Sequence, residues 1–165
     1  MVDGFAGIDF ANDVVTLLKT KWVLGSGGKK PEVTTQWNKK VVGLGTRVYN
    51  EIIIGIDAEN PQIYSLMEGD ATDREKFVYS WLHDVSITID IRTNTSEERV
   101  LQMVDEVMRI IKTNTVPLIT SSKGASEGDS RDYLQMLPEG ITSLNEEYRN
   151  MFRYLVSVSA IIFNP

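Results

Sequence analysis

The chain has no cysteine, one histidine and five prolines among its 165 residues. Without cysteine there is no disulfide, thiol nucleophile, zinc ribbon or iron–sulfur cluster. A single imidazole, His83, excludes a His-rich metal cluster. A Ser-His-Asp triad needs only one histidine, but no serine stands in the Gly-x-Ser-x-Gly setting of a nucleophile elbow. Long apolar runs are also missing. The most apolar stretches, residues 52–56 and 154–163, are strand-sized, whereas a membrane-spanning helix takes about 20 residues. The opening Met-Val-Asp-Gly-Phe lacks the basic start and apolar run of a secretion signal. The expectation is a soluble protein made in a cytoplasm, folded as one domain over 1–165. A chain of this length buries roughly 70% of its unfolded surface and needs no covalent staple.

Charge is present but unevenly placed. The net charge is −6. All seven basic residues of the first fifty lie between Lys19 and Arg47, where Glu32 is the only acid. The remainder is acidic. Such a chain presents a basic segment and an acidic body, which can meet each other on neighbouring copies. Trp22 and Trp37 stand among the lysines, as in a nucleic-acid arm, but the acidic remainder would repel phosphate. A protein contact, or plain solvation, is therefore expected of this segment, and nucleic acid is not.

Hydrophobic periodicity predicts the elements. Residues 8–22 (IDFANDVVTLLKTKW) read as a helix with Ile8, Val14, Val15, Leu18 and Trp22 near one face, which Phe10, Ala11 and Leu17 widen. GSGGKKP at 25–31 ends it, and about 23–50 reads as a basic, Gly/Lys-rich exposed arm or loop. EIIIGID at 51–57 is strongly β-prone. Asn60–Pro61 reads as a turn, residues 62–67 as a short return strand, and 68–76 as a charged loop or hairpin tip. Val85, Ile87, Ile89 and Ile91 alternate with polar residues within a strand over 77–93. A helix over 96–113 follows, with Thr95 as N-cap and Glu98 completing a capping box. Its apolar face holds Val100, Leu101, Val104, Val107, Met108 and Ile111. Residues 121–130 read as a loop, 132–137 as a short strand ending before Pro138–Gly140, and 149–163 as a long closing strand. The fold class is α+β: an antiparallel-dominated or mixed twisted sheet packed against the amphipathic helix 96–113 and the N-terminal helix 8–22. Strands 77–93 and 149–163 pair at its centre.

Candidate chemistry is sparse. His83 shares the parity of Val85, so a hydrogen-bonded histidine at the core side or strand edge is expected. Asp70 with Asp73, and Asp129 with Asp132, lack the spacing and closing Glu of a Ca²⁺ loop and read as solvated turns. The glycines at 25–28 and 43–45 lack phosphate-loop spacing. Glu97, Glu98, Asp105 and Glu106 read as the wet side of the second helix. No cofactor, metal or catalytic residue is expected, and the chain is not expected to be an enzyme.

The order of elements resembles the tail terminator (tail completion) proteins in the neck of long-tailed phages and related archaeal viruses. The resemblance rests on the first helix, the run EIIIGID, the strand WLHDVSITIDIRT, the helix SEERVLQMVDEVMRII and the final strand RYLVSVSAIIF, and covers most of 5–163. It implies a homo-oligomeric ring, usually six-fold, that caps the tail tube, stops its polymerisation and joins it to the neck connector, with a place in the virion. Lys29, Lys30, Trp37, Lys39 and Lys40 are the expected assembly contacts of the basic segment. Ile52, Ile53 and Ile54 are the expected contacts of a bare strand edge that pairs across the subunit boundary. A different expectation is a small ferredoxin-like ligand-binding or regulatory oligomer, and a third is an enzyme of unrecognised kind.

Overall fold

The alternating isoleucines and valines of 85–91 lie at the centre of a five-stranded mixed sheet in the order β1-β2-β3-β5-β4. In a computed structural model of the chain, the described residues are 6–25, 30–38, 49–67, 78–114, 132–145 and 151–164. The strands are β1 (Glu32–Thr35), β2 (Asn50–Met67), β3 (Val78–Thr93), β4 (Asp132–Ser143) and β5 (Phe152–Asn164). β3 pairs antiparallel with β5, with Ile87 opposite Val158 and Ile89 opposite Val156, as the periodicity predicts. On its other side β3 pairs antiparallel with β2, placing Ile52 against Ile91 and Ile54 against Ile89. β4 extends the sheet beyond β5, and β1 adds a parallel strand to β2.

Period-2 alternation puts one apolar row of each central strand on the same face. That face is covered by α1 (Ala6–Lys21) and α2 (Glu97–Thr113). Ile52, Ile54, Val85, Ile87, Ile89, Ile91, Val156, Val158 and Ile162 are fully buried there, with Phe10, Val14 and Leu18 of α1 and Met103, Val107 and Ile110 of α2. Burying each such side chain is worth about 1.5–3 kcal/mol, so this layer dominates the stability. Truncating a central one, as in Ile89→Ala, would cost about 2–5 kcal/mol through lost transfer energy and the cavity left behind. The predicted helix faces are right in position and slightly off in phase. Ile8 and Leu101 are 39% and 43% exposed and Met103 and Ile110 occupy the core instead, while Phe10, Ala11 and Leu17 are buried as expected.

Several expected boundaries are corrected. The 23–50 arm contains β1, whose Val33 is buried, because β2 offers it a parallel edge. Asn60 and Pro61 make no turn: β2 runs through them opposite Asp84 and His83. Proline is tolerated because no strand among the described residues lies on the outer flank of β2 there. Residues 62–67 therefore continue β2 rather than return. β4 likewise runs through Pro138 and Gly140 as an edge strand, with one register shift between them and another between Tyr133 and Gln135. Asp132 opens that strand and is not a turn residue. The N-cap of α2 is Ser96, not Thr95: the Arg99 amide donates to Ser96 Oγ at 3.1 Å, and Glu97 and Glu98 fall in the first turn. The expected loops at 68–76 and 121–130 lie outside the described residues.

Candidate functional site

The polar groups of the helix side serve to anchor α1. The helix begins at Ala6, earlier than predicted, where its first amides find an acceptor from the sheet. The amides of Ala6 and Gly7 donate to the two carboxylate oxygens of Glu59 on β2, at 3.2 and 3.0 Å. A carboxylate at a helix N-terminus satisfies orphan donors and complements the dipole. His83 Nδ1 lies 2.9 Å from Glu59 Oε1, so the only histidine is bonded at the core side, as its parity predicts. Gly7 permits this close approach: a Cβ there would meet Glu59 Oε2 at 3.1 Å and Ile56 Cγ2 at 3.3 Å.

The other end of α1 is held by α2. Glu106 is 8% exposed, which corrects its reading as a wet-face residue. Its Oε1 accepts from the amides of Val23 and Leu24, at 2.8 and 3.3 Å. Arg109 donates to both Glu106 oxygens at 2.8 Å and to the Lys21 carbonyl at 3.0 Å. The Arg109 guanidinium, with help from the two amides, outweighs burial and holds the Glu106 carboxyl down to about 2. Composition could not show this. A signal existed in phase only: Glu106 lies between Met103 and Ile110 on the face that the apolar spacing defines.

On the opposite sheet face, Arg92 and Arg153 are direct cross-strand partners. Like charges so placed repel, and both are drawn onto Asp90. Arg153 donates to Asp90 from Nε at 2.9 Å and from a terminal nitrogen at 2.8 Å, and Arg92 donates to the same carboxylate from Nε at 2.9 Å. Burial would push the Asp90 carboxyl up, but the bonds from Arg92 and Arg153 prevail and keep it below the usual range. The alternation of 84–92 shows Asp90 and Arg92 on one face. Only the register brings Arg153 to them.

These carboxylates are thus committed to partners within the chain. Among the described residues, no group of three His, Asp or Glu is placed to hold a metal ion. A shallow depression of about 180 Å³ lies between β4 and β5, lined by Asp84, Gln135, Leu137, Glu139, Ser159 and Ile161. It is smaller than the roughly 300–1,000 Å³ of small-molecule pockets. None of the described helices is long and apolar enough to cross a membrane.

The expected assembly residues fall into three groups. Lys29, Lys39 and Lys40 lie outside the described residues, as do Asp70, Asp73 and Asp129. Lys30 is exposed, with its ammonium donating to the Lys19 carbonyl at 2.9 Å, and Trp37 is 45% exposed in the short 3-10 helix Gln36–Asn38 that follows β1. Ile52, Ile53 and Ile54 are 0%, 5% and 0% exposed. The expected bare edge is corrected over Glu51, Ile52, Ile53 and Ile54, because each of them has a partner in β1 and another in β3. Among the described residues, the edges of the sheet without a further strand are instead β1 and β4, with the flank of β2 beyond Ile54.

Exposed apolar residues gather at one flank that the sequence reading missed. Ile141 lies opposite buried Val156, on the helix side of β4, yet is 49% exposed. Leu144 and Leu101 are 38% and 43% exposed. Glu97 Oε1 joins the two elements, accepting from Asn145 Nδ2 at 3.0 Å and from the Tyr154 hydroxyl at 3.4 Å.

No protein-family profile matches the chain, and no curated protein matches its sequence. Among solved structures, a chain in the virion of a native gene transfer agent particle is similar in fold, with a TM-score of 0.52 and 14% identity. The likeness covers 97% of this chain and 99% of that one.

Proposed function

We propose that this chain is a structural protein of a phage-like particle, and that it acts as a tail terminator: a homo-oligomeric ring that caps the tail tube and joins it to the neck connector. The observation that carries the reading is end-to-end likeness of fold to a chain in a gene transfer agent virion, with almost no residue of either chain left over. The order of elements supports the finer reading, since the terminator resemblance rests on the same two helices and the same long strands. The site geometry is compatible with it. Glu59, Glu106 and Asp90 brace the helices and the sheet internally, leaving charged and apolar flanks as the working surfaces. A ring joins one patch to a different patch on the next copy, and two dissimilar flanks meet that requirement.

The test is the mass of the purified protein in solution, together with electron microscopy and binding to the tail-tube protein of the same particle. A closed ring, near six times the 18.6 kDa chain, that binds the end of the tube is expected. A chain that stays monomeric at all concentrations and is absent from purified particles overturns the proposal. A dimer holding a small ligand between its subunits replaces it with the regulatory-domain reading.

A further inference from the structure

The molecule has two dissimilar flanks, one at each free edge of the sheet. At the β4 edge, Leu101, Ile141 and Leu144 are each more than a third exposed. They are close together: Leu101 is one helical turn beyond Glu97, Leu144 adjoins Asn145, and Glu97 bonds Asn145. An isoleucine on the helix side of a sheet is ordinarily covered. Met136, farther back on the same strand, is 1% exposed, whereas the helix layer leaves Ile141 49% exposed. Glu97, Glu98 and Asp105 are exposed on the same helix, against the half-buried Arg99 and the exposed Lys112, and the Glu106–Arg109 pair is internally neutralised, which leaves one net negative charge. This flank is apolar with an acidic margin.

At the β1 edge the chemistry is reversed. Lys19, Lys21 and Lys30 are exposed, outnumbering the exposed Glu32 that opens β1, and the Lys30–Lys19 bond places the end of α1 beside the start of β1. Trp37 follows β1 directly and is 45% exposed. This flank has an aromatic residue and a basic margin. Exposed tryptophan is a common anchor of protein interfaces, and opposed charged margins set register and orientation.

Building on the ring reading above, we infer that the α2–β4 flank of one copy docks against the β1 flank of the next, with Ile141 and its apolar neighbours on Trp37 and the acids of α2 toward Lys21 and Lys30. The occupant of each flank is a second copy of this chain, because the two margins complement each other and lie at opposite edges of one sheet. The contact runs through side chains rather than through an added strand. Pro138 and two register shifts interrupt the backbone ladder of β4, features that block edge-to-edge pairing.

Complementation tests this directly. One variant carries Ile141→Lys and Asp105→Lys, and a second carries Trp37→Ala and Lys30→Ala, so that the two altered flanks have no opposite charges with which to pair. All four sites are more than a third exposed, so both variants should keep the wild-type circular dichroism spectrum and melting behaviour. Each alone should self-associate about tenfold or more weakly than wild type. Each has one intact flank, so an equimolar mixture should form dimers that grow no further. Ionic strength should weaken the wild-type contact. If wild type assembles and both variants assemble equally well, this inference falls and the ring reading stands. Failure of the mixture to dimerise also overturns it, because a head-to-tail contact must complement. Normal self-assembly with lost tube binding assigns the flanks to a different partner and overturns it too. A monomeric wild type overturns both.

Discussion

Glu59 and His83, on adjacent strands, meet at 2.9 Å beneath the first turn of α1, where the same carboxylate also takes the amides of Ala6 and Gly7. One side chain therefore connects β2, β3 and the start of a helix whose other end is bound by Glu106 and Arg109. α1 is clamped between two carboxylates, which gives a small helix layer a defined position over the sheet.

Glu59→Ala removes the acceptor for two helix amides and the partner of His83. The expected loss is about 1–3 kcal/mol, since partly buried donors lose their bonds. Glu59→Gln keeps one acceptor oxygen and should lose less. Urea denaturation of the three proteins checks the order.

Asp90→Asn leaves Arg92 and Arg153 facing each other across β3 and β5 without their shared anion. The guanidiniums retain 22% and 27% exposure, so solvent relieves part of the repulsion. A loss of about 1–3 kcal/mol is expected, below the 3–5 kcal/mol of a fully buried pair. Adding Arg153→Met to Asp90→Asn should recover part of it, which a double-mutant cycle measures.

Ser96→Ala should cost about 1 kcal/mol, the usual worth of an N-cap. Thr95→Ala should be nearly neutral, since its exposed side chain is not the cap. Comparing the two melting temperatures separates the observed cap from the one predicted at Thr95.

Acid should release the α1–α2 clamp. The Glu106 carboxyl is held at about 2 against an ordinary 4.5. A depressed folded-state value stabilises the protein above pH 4.5, and that contribution is lost as pH falls toward 2. Asp90 acts in the same direction below 3.8. The melting-temperature gap between wild type and Glu106→Gln should be full at neutral pH and shrink between pH 4.5 and 2. A gap that does not vary with pH would show that Glu106 carries no such linkage.

Local order along the chain was enough to establish both helices, the central strands and the fold class. Alternation at 85–91 and helical spacing at 100–111 need only neighbouring residues to be read. The core-side placement of His83 likewise follows from strand parity, but its bond to Glu59, 24 positions away, does not. Tertiary packing decided what those neighbours could not. β1 exists because β2 presents it an edge, and Pro61 and Pro138 sit in strands because, among the described residues, no strand pairs with their outer flanks. Glu59, Glu106 and Arg153 acquired their roles from residues 52, 83 and 63 positions away. A short periodic signal has no term for such distances: the energy of a buried carboxylate or an edge strand depends on what the folded chain brings alongside it.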